Sequence, residues 1–282
     1  MPNFQEGTKR TEEMKTPKTG ILIYKAPVRI GDIITKRKLQ QFFPNRDLYV
    51  QMAIDPRRPH LYPHDYGLQL GDIFYGEIPQ LDYNNYQAPR LPQVVDTSYS
   101  IAGGKCVFVP HTKIVFYCGK NAGVLMNLNY QAIDAGPVNE AAEAYRHKLG
   151  NYPIREAEYW DLSKYHIDLL MAGVKVPNKG VKVYMHEGVY DELTRGKPHY
   201  LEQMQEQAIN LLPFPKELAE QGGLNIPYID GKVLVPTNKV IGPLLDDYDQ
   251  SGITVCPLGE EQFNIFDAAG VKCRSLVLDY IN

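Results

Sequence analysis

Two short apolar runs joined by a polar turn, then a helical stretch, then a third apolar run: this order of elements returns along the chain and restricts what it can fold into. Copies begin near Gly20, Asp65, Ala102, His166 and Asn225. The letters do not repeat; only the pattern of elements does. One supersecondary unit repeated around a centre buries a continuous core that no single copy could close alone. It also gathers functional groups on the turns at one end of the central channel.

Apolar periodicity and turn residues place the individual elements. Gly20–Tyr24 reads as a strand, and Ile34–Phe43 as a short helix stopped by Pro44. Tyr62–Gly76 reads as two strands joined at Gly71-Asp72, with Asp65 at the entrance of the first. Glu77–Pro92, with Pro79, Pro89 and Pro92, is a long loop, where Tyr83 and Tyr86 are candidates to line a pocket. Cys106–Val109 and Lys113–Cys118 form a hairpin around Pro110-His111-Thr112, its tip and His111 solvated. Residues 137–149 suit a helix, and Pro153–Trp160 a strand-like approach to Tyr165–Val174. Lys182–Met185 is a strand, and Val189–Leu193 and Tyr200–Leu212 are read as helices. Two apolar runs follow at Leu224–Pro227 and Lys232–Val235, then a helix over Gly242–Gln250 and a strand over Gly252–Val255. Ser275–Leu278 closes the chain as a strand.

Composition excludes several classes. The chain is 44% hydrophobic and 22% charged, enough apolar material for a sizeable core. A net charge of −3 gives no basic face for nucleic acid. No apolar run approaches the roughly 18 residues of a membrane span, and no apolar h-region marks a secretory leader. Four cysteines, without CxxC spacing, make neither a disulfide framework nor a metal pair. The expectation is a cytoplasmic protein with free thiols, no metal, no cofactor, and no nucleic-acid or membrane partner. A homo-oligomer is compatible with the sequence. Residues 1–18 are read as a flexible tail and 19–282 as one domain. Tyrosine outnumbers phenylalanine 20 to 9, which suits half-wet surfaces and pocket walls.

Cys273 stands out among the thiols because it follows Ala268-Ala269-Gly270, small residues that let backbone approach a ligand. A plain core role is open to it as well, since free cysteine is among the most buried residue types. Cys106, Cys118 and Cys256 lie within apolar runs and read as core.

His166-Ile167-Asp168 and Gly270-Val271-Lys272-Cys273-Arg274-Ser275-Leu276, with Asn225-Ile226, Gly231–Pro236 and His64-Asp65, carry a family resemblance. From near His60 to the end, the chain resembles the pentein superfamily of guanidino-group-modifying enzymes. That superfamily includes arginine deiminase, dimethylargininase, agmatine deiminase and glycine amidinotransferase. The resemblance implies an α/β fold, a fivefold pseudo-symmetric propeller of ββαβ units. It implies Cys273 as nucleophile and His166 as general acid and base, with Asp65 and Asp168 holding the substrate. Three positions depart from the family. Ala102 stands where most catalytic members carry an acid before the paired glycines, and Lys105 where an Asp or Asn is usual. His64 replaces the arginine of the family's Arg-Asp pair. Lys105 is a surface residue or the partner of an anionic substrate group.

The chemistry matches these residue types. A guanidinium is a resonance-stabilised cation, and carboxylates hold it in its fork geometry. A thiolate is nucleophilic enough to attack its carbon, while a histidine protonates the leaving amine. If Asp168 lies on a strand, it faces the same side as His166, two residues away. Three readings follow. The first is an enzyme acting on a small-molecule guanidino or amidino substrate through a covalent amidino-thioether, with an amino substrate slightly favoured over water as acceptor. The second is a propeller that has lost catalysis and binds a small molecule or a protein. The third is an unrelated α/β protein in which Cys273 is core.

Overall fold

The computed structural model describes residues 19–25, 32–51, 63–70, 73–76, 93–95, 103–117, 129–134, 167–196, 198–219, 221–259 and 271–280. The tail, the loop with Tyr83 and Tyr86, the helix over 137–149, the approach over 153–160, Cys118, Ala102 and His166 lie outside them.

Fifteen strands form five three-stranded sheets among the described residues. The first joins β1 (Gly20–Lys25) and β2 (Arg46–Gln51) to β15 (Ser275–Asp279). The second contains β3 (Gly67–Leu70), β4 (Ile73–Gly76) and β5 (Gln93–Val95). The third contains β6 (Cys106–Phe108), β7 (Ile114–Tyr117) and β8 (Gln131–Asp134). The fourth contains β9 (Met171–Val176), β10 (Gly180–His186) and β11 (Ile209–Phe214). The fifth contains β12 (Tyr228–Ile229), β13 (Lys232–Val235) and β14 (Thr254–Pro257). In each sheet the middle strand pairs antiparallel with one neighbour and parallel with the other. A parallel pair needs a crossover. Helix α1 (Asp32–Phe42) supplies it in the first sheet, α2 (Glu187–Gly196) and α3 (Pro198–Glu206) in the fourth, and α5 (Gly242–Ser251) in the fifth. A short α4 (Lys216–Ala219) follows β11.

The alternation of side chains along each middle strand explains how the sheets meet. On β1, Ile21 and Ile23 pack with Phe74 of the second sheet, while Leu22 and Tyr24 pack with Leu234 of the fifth. On β4, Phe74 faces the first sheet and Tyr75 the third. On β7, Val115 faces the second sheet, and Ile114 and Phe116 face the fourth. On β10, Val183 and Met185 face the third sheet and Tyr184 the fifth. On β13, Val233 and Val235 face the fourth sheet and Leu234 the first. Each sheet is therefore buried on both faces, each packs on its two neighbours in chain order, and the fifth returns to the first.

Polar bonds fasten that last junction. The buried Arg46 guanidinium donates to both oxygens of Asp230, at 2.7 Å each, and to Asp279 at 2.8 Å. Charge-assisted bonds of this kind contribute about 1.5–3 kcal/mol, and here they join β2, β15 and the β12–β13 turn. Lys232 donates to the Phe42 carbonyl at the end of α1.

Two sequence expectations need correction. The helix expected over Tyr200–Leu212 stops at Glu206, and Ile209–Phe214 is strand β11. Ala208 takes a left-handed φ of 55°, which ends the helix. Beyond it, buried Ile209 and Leu211 flank exposed Asn210, the period of a strand. The unit beginning at Gly20 contains one strand before its helix rather than a pair, because β15 from the far end of the sequence fills the missing place. No helix among the described residues is long and apolar enough to cross a membrane. Cys106 and Cys256 are buried in strands, as expected of core thiols.

Asp247 on α5 gives a test of the packing between the fourth and fifth sheets. It is buried and accepts bonds from Lys179 at 2.8 Å, Lys182 at 2.6 Å, and the Tyr184 hydroxyl. Burial works to raise its pKa, but these three donors outweigh it and bring the pKa to about 2. The unfolded carboxylate takes up its proton at higher pH than the folded one, so acid costs stability as the pH falls from about 4 to about 2. We predict that urea melts find wild type more stable than Asp247→Asn by about 2 kcal/mol at neutral pH, and that the gap narrows across this window.

Candidate active site

Five segments lead into the first strand of the five sheets, and together they make one constellation. The turn Pro63–Tyr66 precedes β3, Gly103–Lys105 precedes β6, and Ile167–Leu169 precedes β9. Asn225 lies shortly before β12, and the turn at 271–274 runs into β15. Because the five sheets share one strand order, these five entrances fall at the same end of the ring.

Cys273 sits in the last of these turns and is fully buried. Its Sγ lies 3.3 Å and 3.4 Å from the two carboxylate oxygens of Asp168, which is also fully buried. The Asn225 amide donates from Nδ2 to Sγ at 3.2 Å and to the Asp168 carbonyl at 3.0 Å. Asn225 Oδ1 accepts the Cys273 backbone N–H at 2.9 Å, and the Asn225 carbonyl accepts that of Lys272 at 3.0 Å. From the other side, the His64 backbone N–H donates to the Cys273 carbonyl at 3.1 Å. The His64 ring brings Nε2 within 3.8 Å of Asp168 Oδ2.

The electrostatics favour a protonated sulfur. Burial pushes the Cys273 thiol well above its ordinary pKa, the carboxylates of Asp168 and Asp65 push it further, and the Asn225 bond opposes them. The thiol is thus a donor to Asp168. Behind the sulfur lies the apolar cluster shared by the third and fourth sheets, including Phe116, Leu169 and Met185.

Of the residues singled out in sequence, Cys273, Asp168 and Asp65 come together here. Lys105 ends the turn that packs against those of His64 and Asp168, and His166 lies outside the described residues. Strand alternation does not relate His166 to Asp168, because Ile167–Leu169 is a single tight helical turn. Asn225 and His64 are site residues that the sequence reading did not list. Asn225 marked the start of a unit and part of the family resemblance without a role of its own, and its signal was an asparagine just ahead of an apolar run.

Gly103 explains one glycine of the Ala102-Gly103-Gly104 run. A Cβ there would lie 2.6 Å from the His64 carbonyl oxygen and 2.7 Å from its Nε2. The first contact is with backbone, which cannot rotate away. We predict that Gly103→Ala lowers stability in chemical denaturation by about 1–3 kcal/mol and shifts the His64 ring resonances.

No family model matches the chain, and no curated protein matches its sequence. Solved structures do match. The N-terminal domain of ArgZ, an arginine dihydrolase from the ornithine-ammonia cycle in cyanobacteria, bound to product, is 10% identical over 92% of this chain and 97% of its own, with a TM-score of 0.51. A cysteine-to-serine mutant of that domain bound to substrate gives 10% identity, 92% and 98% coverage, and the same TM-score. DDAH from Pseudomonas aeruginosa complexed with citrulline is 12% identical, with 92% and 99% coverage and a TM-score of 0.49. The two ArgZ matches and the five mixed sheets show that this chain has the α/β pentein fold.

Proposed function

We propose that the chain is a cysteine-dependent enzyme that modifies a guanidino or amidino group through a covalent intermediate on Cys273. The observation that carries this reading is the meeting of a thiol, two carboxylates and an amide at one end of the ring. Asp168 and Asp65 hold the cationic group by N–H···O bonds. That cation reverses the field on the sulfur, so the thiol proton passes to His166 when substrate binds. Sγ bonds to the central carbon, the C–N bond to the departing amine breaks, and His166 supplies that amine's proton. An acceptor then gives a proton to His166 and attacks the same carbon, and the C–S bond breaks to return the thiolate. Lys105 pairs with an anionic group elsewhere on the substrate.

An amine acceptor makes the enzyme an amidinotransferase, and water makes it a hydrolase. The His166-Ile167-Asp168 motif and the long segment after β4 resemble amidinotransferases, and we take amine as the acceptor. The arginine dihydrolase among the fold relatives favours water as the second reading. Ala102 at the family's acidic position, and the full burial of the thiol, favour a third, in which the fold binds a small molecule or protein without turnover.

A haloacetamidine alkylates thiols of this chemistry. Peptide mapping is expected to find the adduct on Cys273 alone, and to lose it in His166→Ala. Even labelling of the four cysteines would leave the binding reading. Incubating the protein with a labelled guanidino donor, with and without glycine, lysine or ornithine, separates the acceptors. Transfer of label to the added amine is expected, and release of a urea product regardless of amine would assign water.

A further inference from the structure

The orientation of the Asn225 amide is fixed by its partners. Oxygen and nitrogen of an asparagine side chain look alike in shape, and hydrogen bonding decides between them. Here the Cys273 backbone N–H requires an acceptor at 2.9 Å, and the Asp168 carbonyl requires a donor at 3.0 Å. Reversing the amide would set two donors against each other and two acceptors against each other. The second N–H of Nδ2 therefore points at Cys273 Sγ, 3.2 Å away. The residue is fully buried, so water does not compete for this bond.

We infer that Asn225 is the thiolate donor of the site, stabilising the charged sulfur by an N–H that the Cys273 turn and the Asp168 carbonyl hold in place. The other titratable groups around the sulfur among the described side chains are Asp168 and Asp65, His64, and the chain neighbours Lys272 and Arg274. Asp168 and Asp65 disfavour the thiolate, whereas the Asn225 bond favours it. Asn225 thus does two things at once. It fixes the main chain of the cysteine through Oδ1, and it gives the sulfur a neutral donor that persists after substrate has left. The catalytic meaning rests on the reading of Cys273 as a nucleophile; the donor geometry does not.

The test reads the thiol without substrate. Thiolate absorbance, taken as the difference from Cys273→Ala, is followed against pH in the full chain and in Asn225→Asp. This variant keeps the size and the acceptor for the Cys273 N–H but puts a charged carboxylate oxygen where the donor was, so both the lost donor and the added charge act on the thiol in the same direction. The Asn225→Asp thiol is expected to titrate about one unit higher, with about tenfold less thiolate at a given pH; an unchanged titration overturns the inference. Should Asn225→Asp fail to fold, the unaltered chain decides. The Asn225 side-chain amide resonance is expected to move with the thiol titration and to stand still in Cys273→Ala, and a resonance that ignores the titration overturns the inference. An altered titration with no turnover of any guanidino compound would refute the proposed function alone.

Discussion

Three-stranded sheets with apolar residues on both faces have only a few ways to remove those faces from water. In this protein each middle strand divides its side chains between two neighbours, as Val115 and Phe116 do on β7. The requirement propagates from sheet to sheet until the fifth meets the first, and closure leaves none of the five with an open face. Everything at the candidate site follows from that closure. The entrances of five strands are brought to one end, each contributing a short piece of polar backbone and one or two side chains.

The resulting cluster holds like charges close together. A sulfur is placed against a buried carboxylate, with a second carboxylate nearby, in a setting that disfavours further negative charge. Such an arrangement is costly unless a positive charge or hydrogen-bond donors compensate it. Asn225 tempers it. Its amide joins the entrances of the first, fourth and fifth sheets in four hydrogen bonds, side chain and main chain together.

Much of this was legible in the residues. Four of the five unit starts, at Asp65, Ala102, His166 and Asn225, fall at or beside the segments that build the cluster, because turn residues and apolar runs report strand entrances directly. The fifth start was misread. Gly20 opens a strand, but the entrance that matters is at Cys273, and no local pattern says that β15 pairs with β1. Strand pairing between the two ends is a tertiary fact. So are the contacts of Asn225 and His64, whose letters are ordinary ahead of a strand. The helix extended through Ile209–Leu212 failed for a different reason: its apolar residues fit either period, and the left-handed Ala208 decided the matter.

The pairing of β15 with β1 also fixes an order of events. As the chain leaves the ribosome, the second to fifth sheets have all their strands before the first does. The carboxylates and the amide can be in position while the sulfur is still being translated. Cys273 therefore arrives together with the strand that shuts the ring, after the strands of the other four sheets.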